Sequence, residues 1–176
     1  MINIFIGIDV GKSGAITCIY QGADWLKIKS YVTPTLPDGD IDIVEFFNIL
    51  KSQDGTVSMV VIEKVHAIFG SGAGATFEFG RSAGIAEAIV NCSGLAFTMV
   101  PPKTWQKEMW AGVDKVIKAG KKSVDTKATS LIAVKRLFPK ALLTDALKPK
   151  SQKAHDGIVD SILLAEYGRR LWSGNI

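Results

Sequence analysis

The sequence predicts an α/β domain: a five-stranded mixed sheet with helices on its faces. Three observations carry that expectation. Residues 2–10 form a near-continuous apolar run closing on Gly11-Lys12-Ser13-Gly14, and two strand patterns follow at hairpin spacing. From residue 40 onward, strand patterns alternate with amphipathic helices.

Element by element, residues 2–10 read as a buried strand entering a tight turn, and residues 15–20 and 25–32 as its antiparallel continuation across Gln21-Gly22-Ala23-Asp24. After a loop over 34–40, Asp40 or Asp42 caps a helix running to residue 50, with Ile43, Phe46, Phe47 and Leu50 on one face. Residues 56–63 make a fourth strand that ends on a charge. A glycine-bearing stretch over 67–74 leads to a helix at 75–91 and a fifth strand at 95–100. Pro101-Pro102 opens a short helix to 109, a basic loop spans 111–122, and helices over 124–138 and 154–171 complete the pattern.

A chain of 176 residues supports one full core and not two, so residues 1–176 read as a single domain. Its 47% hydrophobic content excludes a disordered chain, and no apolar run reaches the length of a membrane span. The start lacks the charged and small-residue features of an export signal, which points to the cytoplasm and away from a membrane partner. Cys18 and Cys92 sit in apolar runs and read as buried free thiols, with no zinc-like spacing. Charge is unevenly placed. Residues 1–100 carry 6 basic against 10 acidic side chains, whereas residues 101–153 carry 13 against 4. Such a basic block fits a polyphosphate ligand, although a solvated lysine-rich surface would look the same.

Against this background the acids stand out. Asp9 ends an otherwise apolar strand, and Glu63 repeats the arrangement on the fourth. A carboxylate there needs a cation or hydrogen bonds, since burying it alone costs several kcal/mol. The glycines flanking Asp9 suggest a backbone left open to a ligand. If strands one and four are neighbours, the two acids lie side by side and a divalent cation relieves their repulsion. Asp156 and Asp160 share one face of an apolar helix at i, i+4. Asp156 also reads as an N-terminal cap. Four carboxylates suit two magnesium ions about 4 Å apart, one activating water and one steadying the leaving oxygen.

Five blocks of residues resemble the RuvC-type Holliday-junction resolvases, particularly short phage and prophage forms. They are Ile6-Gly7-Ile8-Asp9-Val10-Gly11, Val61-Ile62-Glu63-Lys64-Val65-His66, Phe77-Glu78-Phe79-Gly80-Arg81-Ser82-Ala83-Gly84, Val100-Pro101-Pro102-Lys103-Thr104-Trp105 and His155-Asp156-Gly157-Ile158-Val159-Asp160-Ser161. The first block alone is shared with actin-like kinases; the ordered set is more specific. The resemblance implies a ribonuclease-H-like fold and a homodimer that binds four-way DNA junctions. It implies symmetric, metal-dependent nicking with magnesium, or manganese in its place, leaving 5′-phosphate and 3′-hydroxyl ends. By position, Asp9, Glu63, Asp156 and Asp160 resemble the family's metal-binding acids. The family's last two acids can lie three apart; here position 157 is glycine, so Asp156 or His155 supplies the penultimate ligand.

The same resemblance makes Lys127 a catalytic lysine able to stabilise charge on the scissile phosphate, against a reading as a solvated surface lysine. His66 and Phe69 fall where related enzymes place an aromatic against junction bases; an ordinary bonded histidine and a core phenylalanine compete. Arg81 is balanced between a phosphate contact and a structural salt bridge, and Phe77 and Phe79 read as core or dimer interface. Trp105 and Trp110 lie among Lys103, Lys107 and Lys115, which permits base stacking, but helix packing is the preferred reading. Lys121 and Lys122 in the basic loop read as phosphate contacts, like Lys103 and Lys107. Two other functions fit less of the pattern: a related nuclease acting on forks, flaps or RNA-containing duplexes, and a junction-binding protein with little cleavage. The second is disfavoured because phosphate binding calls for bases, not four acids.

Overall fold

The computed structural model describes residues 1–64, 72–148 and 150–176. Strand β1 (Asn3–Asp9) pairs antiparallel with β2 (Ala15–Gln21), and β2 antiparallel with β3 (Leu26–Val32). Helix α1 (Ile43–Lys51) leads to β4 (Thr56–Glu63), which lies parallel to β1 on its free side. Helix α2 (Ala73–Cys92) leads to β5 (Phe97–Val100), parallel to β4. Helices α3 (Pro102–Met109), α4 (Thr126–Leu137) and α5 (Asp156–Trp172) follow. The sheet order β3-β2-β1-β4-β5 is the five-stranded mixed sheet expected from the pattern. His66, Phe69 and most of the glycine-bearing stretch lie outside the described residues.

Strand periodicity sorts the core into two layers. Ile4, Ile6 and Ile8 of β1, with Val60 and Ile62 of β4, face α1 and α2 and pack on Phe46, Ile49, Leu50, Ala86 and Val90. The alternate residues face the other way, because successive side chains on a strand point to opposite faces. Phe5, Gly7 and Asp9 are therefore on one side, and so are Val61 and Glu63. That side is covered by α3, α4 and α5, whose Trp105, Met109, Val134, Ile162 and Leu163 form the second layer.

Helix α5 is buried on most of its surface, as expected for a helix apolar nearly all round. Its approach to β1 is set by two glycines. A Cβ on Gly7 would stand 2.1 Å from the carbonyl oxygen of Ser161 and 2.3 Å from the amide nitrogen of Ala165. A Cβ on Gly157 would meet the backbone of Ser13 and Gly14 at 2.8 Å. Gly7 thus admits a helix backbone, not a ligand as its position beside Asp9 suggested. A hydrogen bond of 2.7 Å between the buried hydroxyls of Thr17 and Ser161 fixes α5 along the hairpin. At its far end, Glu166 accepts from Arg169 and Arg170, and Arg170 reaches Glu108 on α3 at 2.8 Å.

Several expectations change in three dimensions. Cys18 is buried, and burial pushes its thiol up to about 12, but Cys92 ends α2 and is exposed. Phe79 packs against the first layer, while Phe77 points outward at 68% exposure. Trp105 and Trp110, by contrast, keep the helix-packing reading over base stacking, both being buried in the second layer. No described helix is long and apolar enough to cross a membrane.

Candidate active site

The two strand acids end neighbouring parallel strands. Ile8 pairs with Ile62, so the next residues, Asp9 and Glu63, emerge together at the C-terminal edge of the sheet on the α5 side. Residues at that edge of an α/β sheet are the usual ligand-facing ones. The Gly7 contact then brings α5 directly over β1, and Asp160, one residue before Ser161, arrives above Asp9.

The acids lie near enough to raise one another's pKa. Burial pushes the Asp9 carboxyl well above the usual carboxylate range, and the charges of Asp160, Glu63 and Asp156 push it further. Asp160 is raised to about 7, first by burial and then by Glu63 and Asp156, with the Ser130 hydroxyl and Lys127 offsetting part of the rise. Glu63 is raised by burial against the opposing effect of the Trp105 indole, which donates from Nε1 to Oε1 at 3.0 Å. Asp160 Oδ1 is enclosed and has no hydrogen-bond partner among the described residues. An orphaned carboxylate oxygen among repelling acids is a costly arrangement unless something positive sits there.

Asp156 behaves differently from its three companions. It lies at the first position of α5, where it accepts from Lys127 Nζ at 2.6 Å. It is not the cap: that role falls to His155, whose Nδ1 accepts from the amide of Ile158 at 3.3 Å. His155 lines a cleft of about 670 Å³ with Lys12 and Tyr31, whereas Asp156 and Asp160 line one of about 320 Å³ with Lys127 and Lys153. Of the two candidates for the penultimate ligand, Asp156 faces the other acids. Lys127 is held beside them, its ammonium further stabilised by Asp156.

Among the described residues, no three of these side chains already close on a common point as ligands of one ion. Part of the reason is visible: Asp156 is turned onto Lys127. The donor set still fits a hard divalent cation, being all oxygen, mutually repulsive and in part unpaired.

The remaining sequence candidates are spread around this centre. Arg81 forms a bidentate pair with Asp40 at 2.9 and 3.0 Å, and Lys12 of the β1–β2 turn binds the same carboxylate, so its structural salt bridge is present. The two cations hold the Asp40 carboxyl far below its ordinary range. Lys103 and Lys107 on α3, and Lys121 and Lys122 in the following loop, are exposed. Three acids of the basic block are engaged within the fold: Glu108 with Arg170, Asp125 as the cap of α4, and Asp145 with the Leu147 amide. The block therefore presents mainly lysines to solvent. Sequence reasoning missed Ser130, whose hydroxyl takes a 3.3 Å hydrogen bond from Trp110 Nε1 and eases the ionisation of Asp160. A serine inside an amphipathic helix gives no signal of such a role.

The sheet order, the helices on both faces and the strand-end acids define a ribonuclease-H-like fold. Within that class the chain is similar to Holliday-junction resolvase structures. One is T. thermophilus RuvC in complex with Holliday junction substrate, at TM-score 0.58 and 12% identity, covering 99% of this chain and 95% of that one. A second Thermus thermophilus RuvC structure aligns at TM-score 0.57 and 14% identity, covering 99% and 96%. No protein-family model matches the sequence, and no curated protein does.

Proposed function

We propose that residues 1–176 form one nuclease domain that cuts branched DNA, with four-way junctions as its substrate, in a reaction dependent on a divalent cation. The observation that carries this reading is the placement of Asp9 and Glu63 at the ends of neighbouring parallel strands under α5, which brings Asp156 and Asp160, with one enclosed Asp160 oxygen unpaired among the described residues. The likeness to RuvC supports the substrate, since one neighbour was solved with a Holliday junction.

Magnesium, or manganese in its place, bound as a pair among the four acids would polarise the phosphodiester and make a nearby water a better nucleophile. The chain's own contribution is placement. Asp9 and Glu63 are fixed by strand register, and Asp160 by the close docking of α5. Lys127 donates to a non-bridging oxygen of the scissile phosphate once that phosphate competes for it with Asp156, and so stabilises the charge that develops there. Attack by water in line with the scissile bond forms one P–O bond and breaks the bond to O3′, which leaves protonated. The products are a 5′-phosphate and a 3′-hydroxyl. Lys103, Lys107, Lys121 and Lys122 supply phosphate contacts that position the duplex arms. Arg81 joins them by exchanging Asp40 for phosphate, and His66 and Phe69 are assigned to the junction centre. Two opposed nicks call for a homodimer, and the exposed Phe77 is the side chain we assign to the partner.

The test is cleavage of a labelled mobile four-way junction, with a fork, a flap and an RNA–DNA hybrid as competitors. Paired symmetric nicks that need the cation and vanish in Asp9→Asn and Asp160→Asn support the proposal. Wild-type rates in both variants overturn it, and preference for the hybrid or the fork overturns the substrate.

A further inference from the structure

In the block Val100-Pro101-Pro102-Lys103-Thr104-Trp105, Lys103 faces solvent, whereas Val100 and Trp105 are buried. Val100 pairs with Glu63, and the Lys64 amide donates to the Val100 carbonyl at 2.8 Å, so β5 ends beside the strand acid. Pro101 caps α3 in extended conformation and Pro102 opens it, which turns the chain back over the sheet at once. Trp105 is thereby buried completely, the bulkiest of the fully enclosed side chains. An indole can only donate, and when buried it needs an acceptor. The acceptor here is Glu63 Oε1, at 3.0 Å.

We infer that Trp105 is a positioning residue for Glu63: its indole N–H occupies one carboxylate oxygen, fixes the side-chain rotamer, and leaves Oε2 as the oxygen free to take a cation. This rests on the metal-dependent reading above and adds to it a residue that never touches substrate. A neutral donor suits the task. It satisfies the half-buried carboxylate without cancelling its charge, whereas a lysine or arginine there would compete with the cation. The enclosed ring also keeps water from taking the same oxygen. Ordering of a ligand by such an outer partner changes cation affinity about 10- to 100-fold.

The experiment uses the full chain. Trp105→Phe keeps most of the ring and deletes the N–H. Manganese affinity, read by calorimetric titration, is expected to weaken at least tenfold while circular dichroism stays native. A folded Trp105→Phe protein that binds manganese as tightly as wild type overturns the inference. Wild type that binds no manganese overturns the metal-dependent reading, a separate result. Should Trp105→Phe fail to fold, the indole Nε1–H resonance in the ¹⁵N-labelled wild type supplies the answer. It is expected to move on manganese-free magnesium titration and in Glu63→Gln, while those of the outlying Trp25 and Trp172 stay in place. A Trp105 resonance indifferent to both also overturns the inference.

Discussion

Asp160→Asn is expected to make the cation-free protein more stable while abolishing its response to magnesium. Burial and the neighbouring acids push the wild-type carboxyl from its ordinary 3.8 up to about 7 in the fold. At roughly 1.4 kcal/mol per unit, the folded state carries up to about 4 kcal/mol of penalty for ionising it. The sign follows from linkage. Below about pH 4 the group is protonated folded and unfolded, and there is no penalty. Between about 4 and 7 the unfolded chain ionises first and stability falls. Above 7 the penalty is complete. Asparagine removes it but leaves an amide poorly matched to its surroundings, which returns about 1–3 kcal/mol. The net gain at pH 8 in chelator is then roughly 1–3 kcal/mol, or about 2–10 °C in melting midpoint for a chain of this size. Differential scanning calorimetry at pH 8 and pH 5 checks it. Magnesium at a hundred times its Kd should add about 2.7 kcal/mol to wild type and nothing to the variant. A variant that melts below wild type at pH 8, or gains as much at pH 5, would refute the argument.

Three further outcomes are expected. Gly7→Ala should cost more than about 3 kcal/mol in urea unfolding, because its new methyl meets helix backbone, which cannot swing aside as a side chain can. Lys127→Met should lower cleavage by roughly 10²–10³-fold yet tighten manganese binding in calorimetry, since Asp156 loses its competing cation. Replacing Lys121 and Lys122 together with glutamine should weaken junction binding and flatten its log–log salt dependence by about two, measured by fluorescence anisotropy, with turnover at saturating DNA unchanged.

Much of the fold was written in local pattern. Strand alternation placed Asp9 and Glu63 at strand ends, and the i, i+4 spacing placed Asp156 and Asp160 on one helical face. What local pattern cannot carry is the identity of a neighbour. Gly7 looked like an opening for a ligand because a missing side chain says only that something comes close, and α5 is far away in sequence. Trp105 and Trp110 sit among lysines in the chain, but a helix puts neighbours on different faces, and the rings turned inward. The cap of α5 went to His155 because its ring nitrogen reaches the Ile158 amide, leaving Asp156 to Lys127. Arg81 could have met a phosphate or a carboxylate; only the loop that carries Asp40 decided which it meets in the free protein.

The docking of α5 on the β1–β2 hairpin also bears on how this chain is made. The Thr17–Ser161 hydrogen bond joins residues 144 apart, and Gly7 meets the Ser161 backbone across a similar separation. Contacts of such long range form late, and on a ribosome they wait for the distal residues to emerge. Strands β1 to β5 can pair while Asp160 is still unmade, but the four acids cannot yet meet. Until α5 is made, the sheet carries α1 and α2 on one face, and the proposed site cannot assemble.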